Sequence, residues 1–274
     1  FKRPDRVVVG TNDERARQVM RDLYRPLYIS ETPIVFTERR TAELIKYAAN
    51  AFLATKIAFI NEIADLCEAV GADVQEVSRG LGLDNRIGRK FLHAGPGYGG
   101  SCFPKDTLAL VTTAKDYGAP VSIVEAVVSS NIKRKKNMAK KIVKACGGEV
   151  KGKKIAILGL TFKPNTDDMR DAPSLDIIPA LQAAGAQIAA FDPEGMREAQ
   201  NHFSNIEFAS GPYEAVKNAD ALVIITEWDQ FRALDLMRVK DLLKSPIVVD
   251  LRNIYDPKAM QEDGFEYYSV GRGS

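Results

Sequence analysis

Residues 154–192, KIAILGLTFKPNTDDMRDAPSLDIIPALQAAGAQIAAFD, contain an apolar run, a polar turn, a helix-length segment opened by Pro173 and a second apolar run. A run with no polar alternation is a strand covered on both faces, and two such strands joined through a helix lie parallel in one sheet. The pattern continues through IEFA (206–209), ALVIIT (221–226), PIVVDL (246–251) and FEYYSV (265–270), with helices expected near 196–203, 213–219 and 234–243. Residues 149–274 therefore read as a Rossmann-like, doubly wound parallel-sheet domain, with a ligand crevice at the carboxyl edge of its strands. Its first turn, GLTFKPNTDD, lacks GxGxxG, which argues against a full dinucleotide there and leaves a single nucleoside diphosphate open. Lys163 and Arg170 flank that turn and Arg252 follows IVVDL, three cations on one edge that suit a pyrophosphate.

Upstream the texture is helical. Residues 41–70, TAELIKYAANAFLATKIAFINEIADLCEAV, contain no Gly or Pro and predict one helix of about 45 Å. It is apolar on more than one face and must be buried, with a partner subunit as the expected cover. Within it Lys46 and Asn50 stand at i and i+4 on one face, and they either satisfy each other or hold a substrate hydroxyl or a water. Shorter helices are expected at 73–79 and from Pro104, then a long one over 122–145. The cluster NIKRKKNMAKK (131–141) reads as a solvated helix face rather than a polyanion site, because Ile132, Met138, Ile142 and Val143 give it an apolar stripe. Residues 38–148 form this central helical unit. Before it, a strand at 6–10, a helix at 12–25 and a strand at 33–37 read as the remnant, 1–37, of another sheet. With no initial Met, the chain is expected to be a fragment of a larger protein.

Among 274 residues, Lys and Arg number 38 and Asp and Glu 36, so no net field draws the chain toward nucleic acid or an anionic membrane. No apolar run is long enough to span a bilayer and no signal peptide is legible. The three cysteines, Cys67, Cys102 and Cys146, are widely spaced without CxxC, which fits free thiols in a reducing, cytoplasmic setting.

Residues 95–106, GPGYGGSCFPKD, hold the one cysteine without aliphatic neighbours. Glycines at 95, 97, 99 and 100 would let backbone approach a ligand, and Pro104 suits the first turn of a helix. Cys102 would then sit at that helix's N-terminus, where free amides and the dipole favour thiolate, with Lys105 adding to the effect. That is the environment of a nucleophile. Asp106, four residues on, would face the same mouth and could orient or deprotonate a water.

The segments PDRVVVG, AELIKYAANAFLATKIAFINE, RIGRKFLHAGPGYGGSCFPKD, GLTFKPNTDDMRDAPS and VVDLRN, in this order and spacing, resemble the UDP-glucose/GDP-mannose dehydrogenase family, in the branch acting on UDP-glucose. The resemblance implies a helical dimerisation domain with a long central helix followed by a UDP-sugar-binding sheet domain. It also implies NAD-dependent, four-electron oxidation of UDP-glucose to UDP-glucuronate for polysaccharide biosynthesis, through a thiohemiacetal and thioester on Cys102. Under it Lys46 and Asn50 bind the sugar and steady its reacting oxygen, and Asp106 supports the thioester steps. Phe91, Leu92, His93, Ala94, Gly95 and Gly99 cradle the glucose, Lys163 and Arg252 meet the UDP, Lys105 and Arg170 reach toward NAD, and Arg86 reaches a neighbouring subunit's substrate in a homodimer. The alternatives are the same chemistry on GDP-mannose or another nucleotide sugar, or a non-catalytic dimerisation and nucleotide-binding module. The resemblance further implies that the chain lacks most of an N-terminal dinucleotide domain and would not turn over alone.

Overall fold

The computed structural model of the chain describes residues 4–30 and 32–272. It opens with β1 (Val7–Gly10), α1 (Glu14–Tyr24), a 3-10 turn over Arg25–Ser30, and β2 (Ile34–Thr37), which pairs with β1 in parallel. Next, α2 (Arg39–Val70) runs unbroken for 32 residues until Gly71, at φ 74°, takes the left-handed conformation that ends it. The helical part is completed by α3 (Val74–Leu83), α4 (Phe103–Asp116) and α5 (Ser122–Ala145).

The second sheet alternates with helices as the apolar runs predict. It contains β3 (Lys154–Leu158), α6 (Ser174–Ala183), β4 (Gln187–Phe191), α7 (Met196–His202), β5 (Glu207–Phe208) and α8 (Pro212–Val216). After these come β6 (Ala221–Ile224), α9 (Asp229–Arg232), α10 (Leu236–Leu242), β7 (Ile247–Asp250), α11 (Pro257–Glu262) and β8 (Glu266–Ser269). All pairings are parallel and the order is β5-β4-β3-β6-β7-β8. The chain winds outward one way from β3 and returns to wind the other way from β6. The switch point therefore lies between the carboxyl ends of these two strands. Helix α11 was not foreseen, although Asp256 followed by Pro257 is a helix-start signal, and the Asp256 carboxylate accepts from the Ala259 amide.

Burial follows the two-residue period of the strands. Ile155, Ile157, Val223 and Val249 face a core shared with Ile60 of α2 and with Met138 and Ile142 of α5. On the opposite face Ala156, Leu158, Leu222 and Val248 pack with Trp228, Phe231 and Met260. One face of the sheet is thus covered by the helical part of the same chain.

Within the chain helix α2 is covered along one side: Asn50, Ala54, Ala58, Asn61 and Ala64 are buried, while Leu44, Phe52, Phe59 and Leu66 form an exposed stripe at a spacing of seven to eight residues. The reading of residues 131–141 needs correction. On α5, Ile132 is 49% exposed and the cations Arg134 and Lys135 are buried. Acceptors from other segments draw those cations inward: Arg134 Nε donates to Gly95 O at 2.9 Å and its Nη1 pairs with Asp65, while Lys135 Nζ donates to Asp171 O at 3.0 Å and lies 3.2 Å from Asp176 Oδ2. The glycines of residues 95–100 also serve the chain's own packing. Residues 94–100 are all buried, and at Gly100, with φ 84°, a Cβ would stand 2.6 Å from Phe162. At Gly99 a Cβ would run into the Asp171 carbonyl. The loop is closed by Asn61 Oδ1 on Gly95 N at 2.8 Å, by Asn131 Oδ1 on Tyr98 N at 2.9 Å, and by Gly100 N donating to Arg170 O at 2.7 Å.

Gly99→Ala should therefore lower unfolding free energy by about 1–3 kcal/mol, the usual cost of overpacking a rigid site. Gly80→Ala, within α3 and with nothing near its Cβ position, should be neutral or stabilising by up to about 1 kcal/mol. Urea titration of both variants checks the contrast.

Candidate active site

The buried loop delivers the chain directly into α4. Cys102 is the N-cap residue of α4 and Pro104 lies in its first turn, so the helix opens at Phe103, one residue before the expected start. The Phe103 ring stacks edge-on against Phe91 (centroids 6.0 Å apart) and Tyr98 (5.9 Å), which fixes this terminus on the helical lobe. Phe91 itself sits at φ 66°, a strained position for an aromatic residue. Of the three free thiols Cys67 and Cys146 are buried, whereas Cys102 is exposed, with Ser101 Oγ 3.7 Å from its sulfur.

Beneath the thiol lies Asp106, 3% exposed. Its backbone N–H donates to Cys102 O at 2.8 Å, the first hydrogen bond of α4. Asn50 Nδ2 donates to Asp106 Oδ2 at 2.6 Å, Lys46 Nζ stands 3.8 Å from the same oxygen, and Lys105 Nζ donates to Oδ1 at 2.7 Å. Burial acts to raise the carboxyl's pKa. The hydrogen bonds from Lys105 and Asn50 and the charges of Lys105 and Lys46 outweigh it, leaving the group below the ordinary aspartate value. Reciprocally, the hydrogen bond to Asp106 holds the Lys105 ammonium above its usual range. Lys46 and Asn50 do not pair with each other: both turn to the Asp106 carboxylate, which gathers residues of two helices into one cluster. The two ammonium groups remain largely solvent-facing, at 62% and 70% exposure, so they can act on a group arriving from outside.

The carboxyl edge of the second sheet joins this cluster through the glycine loop. Phe162 backs Gly100 and carries the Lys163 ammonium 5.2 Å above its ring. Arg252, leaving β7, donates to Ile225 O at 2.8 Å and Phe162 O at 3.3 Å, pairs with Glu227 at 3.1 Å, and reaches the space beside Gly95. Asp250 holds that turn by accepting from Arg252 N at 2.9 Å and Ile254 N at 2.7 Å. Arg170 is engaged by Asp168, with two side-chain bonds of 2.9 and 2.7 Å. At the end of β4, Asp192 accepts from the Leu160 amide at 2.7 Å and the Trp228 indole at 3.1 Å, so its carboxylate is occupied by the fold rather than offered to a ribose.

Two expected residues are not brought into the cluster by side-chain contact. Arg86 is 90% exposed and closes on its own neighbour Asp84 at 2.7 Å, and His93 is exposed. Leu92 and Ala94 are buried in the loop, with Ser78 Oγ donating to Leu92 O at 2.5 Å. Sequence reasoning missed Asn131, Lys135, Asn61 and Phe162 as supports of the loop. Asn131 and Lys135 lie in the cluster 131–141 that reads from the sequence as a solvated face, and Phe162 stands beside Lys163.

A doubly wound sheet with cations at its carboxyl edge, joined by a buried glycine loop to a helical lobe bearing an exposed thiol over a held carboxylate, defines a class of two-lobed α/β proteins with one cleft. Two family models match the chain: UDP-glucose/GDP-mannose dehydrogenase family, central domain, over residues 40–133, and UDP-glucose/GDP-mannose dehydrogenase family, UDP binding domain, over 156–257. The chain belongs to the UDP-glucose/GDP-mannose dehydrogenase family. It is 62% identical to a UDP-glucose 6-dehydrogenase of Rhizobium meliloti (strain 1021), over 99% of this chain and 63% of the relative. It also resembles the solved structure of a UDP-glucose dehydrogenase from Pyrobaculum islandicum, with TM-score 0.87, 34% identity, and coverage of 100% of this chain and 60% of that one. A UDP-D-ManNAc dehydrogenase from Pyrococcus horikoshii matches with TM-score 0.80 and 26% identity, over 97% of this chain and 60% of that one. The chain therefore spans about three-fifths of the length of the relatives it matches.

The depressed Asp106 pKa sets a sign for acid stability. The native carboxyl binds its proton less tightly than the unfolded one, so its contribution is complete above the ordinary value of 3.8 and is lost as pH falls through the folded value. Asp106→Asn should cost about 1–3 kcal/mol near neutral pH. It should also flatten part of the decline below about pH 4 in a urea–pH series.

Proposed function

We propose that the whole protein containing this chain is an NAD-dependent UDP-glucose 6-dehydrogenase, oxidising the sugar's C6 alcohol through the aldehyde to the carboxylate of UDP-glucuronate. The observation that carries this reading is the exposed Cys102 sulfur set above an Asn50–Asp106–Lys46–Lys105 cluster and continuous, through the glycine loop, with the Lys163–Arg252 edge. The naming of the Rhizobium meliloti relative at 62% identity favours UDP-glucose over other nucleotide sugars, since the neighbour named for UDP-D-ManNAc shares 26%.

NAD, when bound, supplies the hydride acceptor for both oxidations. The exposed side chains of Lys105 and Arg170 fit its anionic phosphates. The six-stranded sheet does not fit its dinucleotide: there is no GxGxxG at the first turn, a Cβ at Gly159 would stand 2.5 Å from Thr226, and Asp192 is occupied. The chain's own residues do the rest. Lys163 and Arg252 hold the diphosphate, and backbone of 91–95 and 99 bounds the sugar.

Asn50 and Lys46 direct N–H groups at the reacting oxygen, whose proton passes to solvent water as the alcohol carbon gives up a hydride. The Cys102 thiol then adds to the aldehyde carbon, its proton passing to the carbonyl oxygen, giving a thiohemiacetal. Loss of a second hydride, with that proton going to solvent, leaves a thioester. Water, held by Asp106 and Lys105, adds to the acyl carbon, and the carbon–sulfur bond breaks to release carboxylate and thiol, one water proton going to the sulfur and the other to solvent. A thiol is needed because an aldehyde has no hydride to give until a nucleophile has added to its carbon.

Two further points belong to this reading. The stripe of Leu44, Phe52, Phe59 and Leu66 is the surface a second copy would cover, making a homodimer through α2. No helix of the described residues is long and apolar enough to cross a membrane, and free thiols suit a reducing cytoplasm.

In the whole protein, Cys102→Ser should reduce NADH formation from UDP-glucose by at least about 10³-fold, as loss of a covalent nucleophile does. Two NADH per sugar at the normal rate would sink the thioester route. Calorimetry should show UDP binding to the chain weakened about tenfold by Arg252→Ala, the loss of a charge-assisted anion contact. Phe52→Asp with Phe59→Asp should turn a sedimenting dimer into monomer.

A further inference from the structure

Away from the cleft, α2, α5, α11 and β8 enclose a cavity of about 450 Å³. That volume lies within the range of small-molecule sites, about 300–1,000 Å³. Its wall combines Lys140 and Lys144 of α5 with Asn137, Gln261, Tyr268 and Arg272.

The charge of this wall is not cancelled. Its two acids are already engaged: Asp65 pairs with buried Arg134, and Glu68 accepts from Lys141 at 2.7 Å and from the Gly271 amide at 2.8 Å. Lys140 and Lys144, stacked at i and i+4, have no hydrogen-bond or ion-pair partner among the described residues. Arg272 is ion-paired through Nε to Asp73 Oδ2 at 3.4 Å and donates from Nη1 to Tyr255 O at 3.4 Å, which leaves its Nη2 as the donor without a partner among the described residues. Unpaired donors converging on a cavity of this size call for an anion with several acceptors. The Tyr268 ring and the Met138 and Ala145 side chains supply an apolar wall for an organic body. We propose that this cavity is an accessory site for a small organic phosphomonoester, of the size of a nucleoside monophosphate, held by Lys140, Lys144 and Arg272.

The site is separate from the Lys163–Arg252 edge, and the two can be tested apart. Thermal unfolding of the chain is followed with AMP, adenosine and inorganic phosphate as probes. AMP should raise the melting temperature in a concentration-dependent way, adenosine should not, and inorganic phosphate should act only at much higher concentration. Lys140→Ala with Lys144→Ala removes two exposed, unpaired side chains and should leave the ligand-free melting temperature in place while weakening the AMP effect at least about tenfold. Arg252→Ala should retain the effect. The proposal is overturned if AMP gives no shift, if the shift survives the double lysine variant, or if Arg252→Ala abolishes it. Equal potency of inorganic phosphate would remove the organic ligand from the assignment.

Discussion

The structure depends on a glycine-rich length of backbone being pressed between two lobes. Residues 94–100 pass through a gap bounded by Asn61 and Asn131 on one side and by Asp171 and Phe162 on the other. Substituents at Gly97, Gly99 or Gly100 would collide with one of those walls. The close approach lets Gly100 N reach Arg170 O directly, so the turn after β3 and the start of α4 move as one piece. Buried Arg134 and Lys135 lock the arrangement from behind, each reaching out of α5 to a carbonyl of the loop or of its opposing turn. Both are cations in a desolvated place, tolerable because carboxylates and carbonyls meet them.

The position of the exposed Cys102 thiol follows from that constraint. A helix whose first residue emerges from a fixed loop, and whose Phe103 ring is trapped by Phe91 and Tyr98, has little freedom to reorient. Cys102 is left at the surface and Asp106 one turn below it. From there Asp106 acts as a hub: one oxygen takes Asn50 and lies near Lys46, the other takes Lys105. Removing it would leave an amide and two ammonium groups without their common anion. The same carboxylate thus stabilises the junction of α2 with α4 and keeps two cations beside the thiol.

The arrangement also separates two kinds of positive charge. Arg134, Lys135 and Arg170 are occupied within the fold, Arg252 divides its donors between the fold and the cleft, and Lys140 and Lys144 are free at another cavity. The balanced overall charge conceals these local differences, since the field at a site depends on which cations remain unpaired there.

By itself the sequence determined the alternation of the second sheet, the unbroken α2, the span of α5 and the placing of Cys102 at a helix start. These are local matters: strand burial leaves continuous apolar runs, and α2 runs unbroken until Gly71 ends it. The family motifs carried the candidate residues Lys46, Asn50, Lys163 and Arg252 as well. Only the tertiary structure decided what the polar residues touch. That Lys46 and Asn50 share Asp106, that the glycines admit the chain's own Asp171 and Phe162, and that Arg134 and Lys135 turn inward while Ile132 faces out all depend on partners more than thirty residues away in the chain. Periodicity reports which face of a helix is greasy. It carries no information about where a distant carbonyl or carboxylate will arrive, and that arrival determines whether a buried charge is stable.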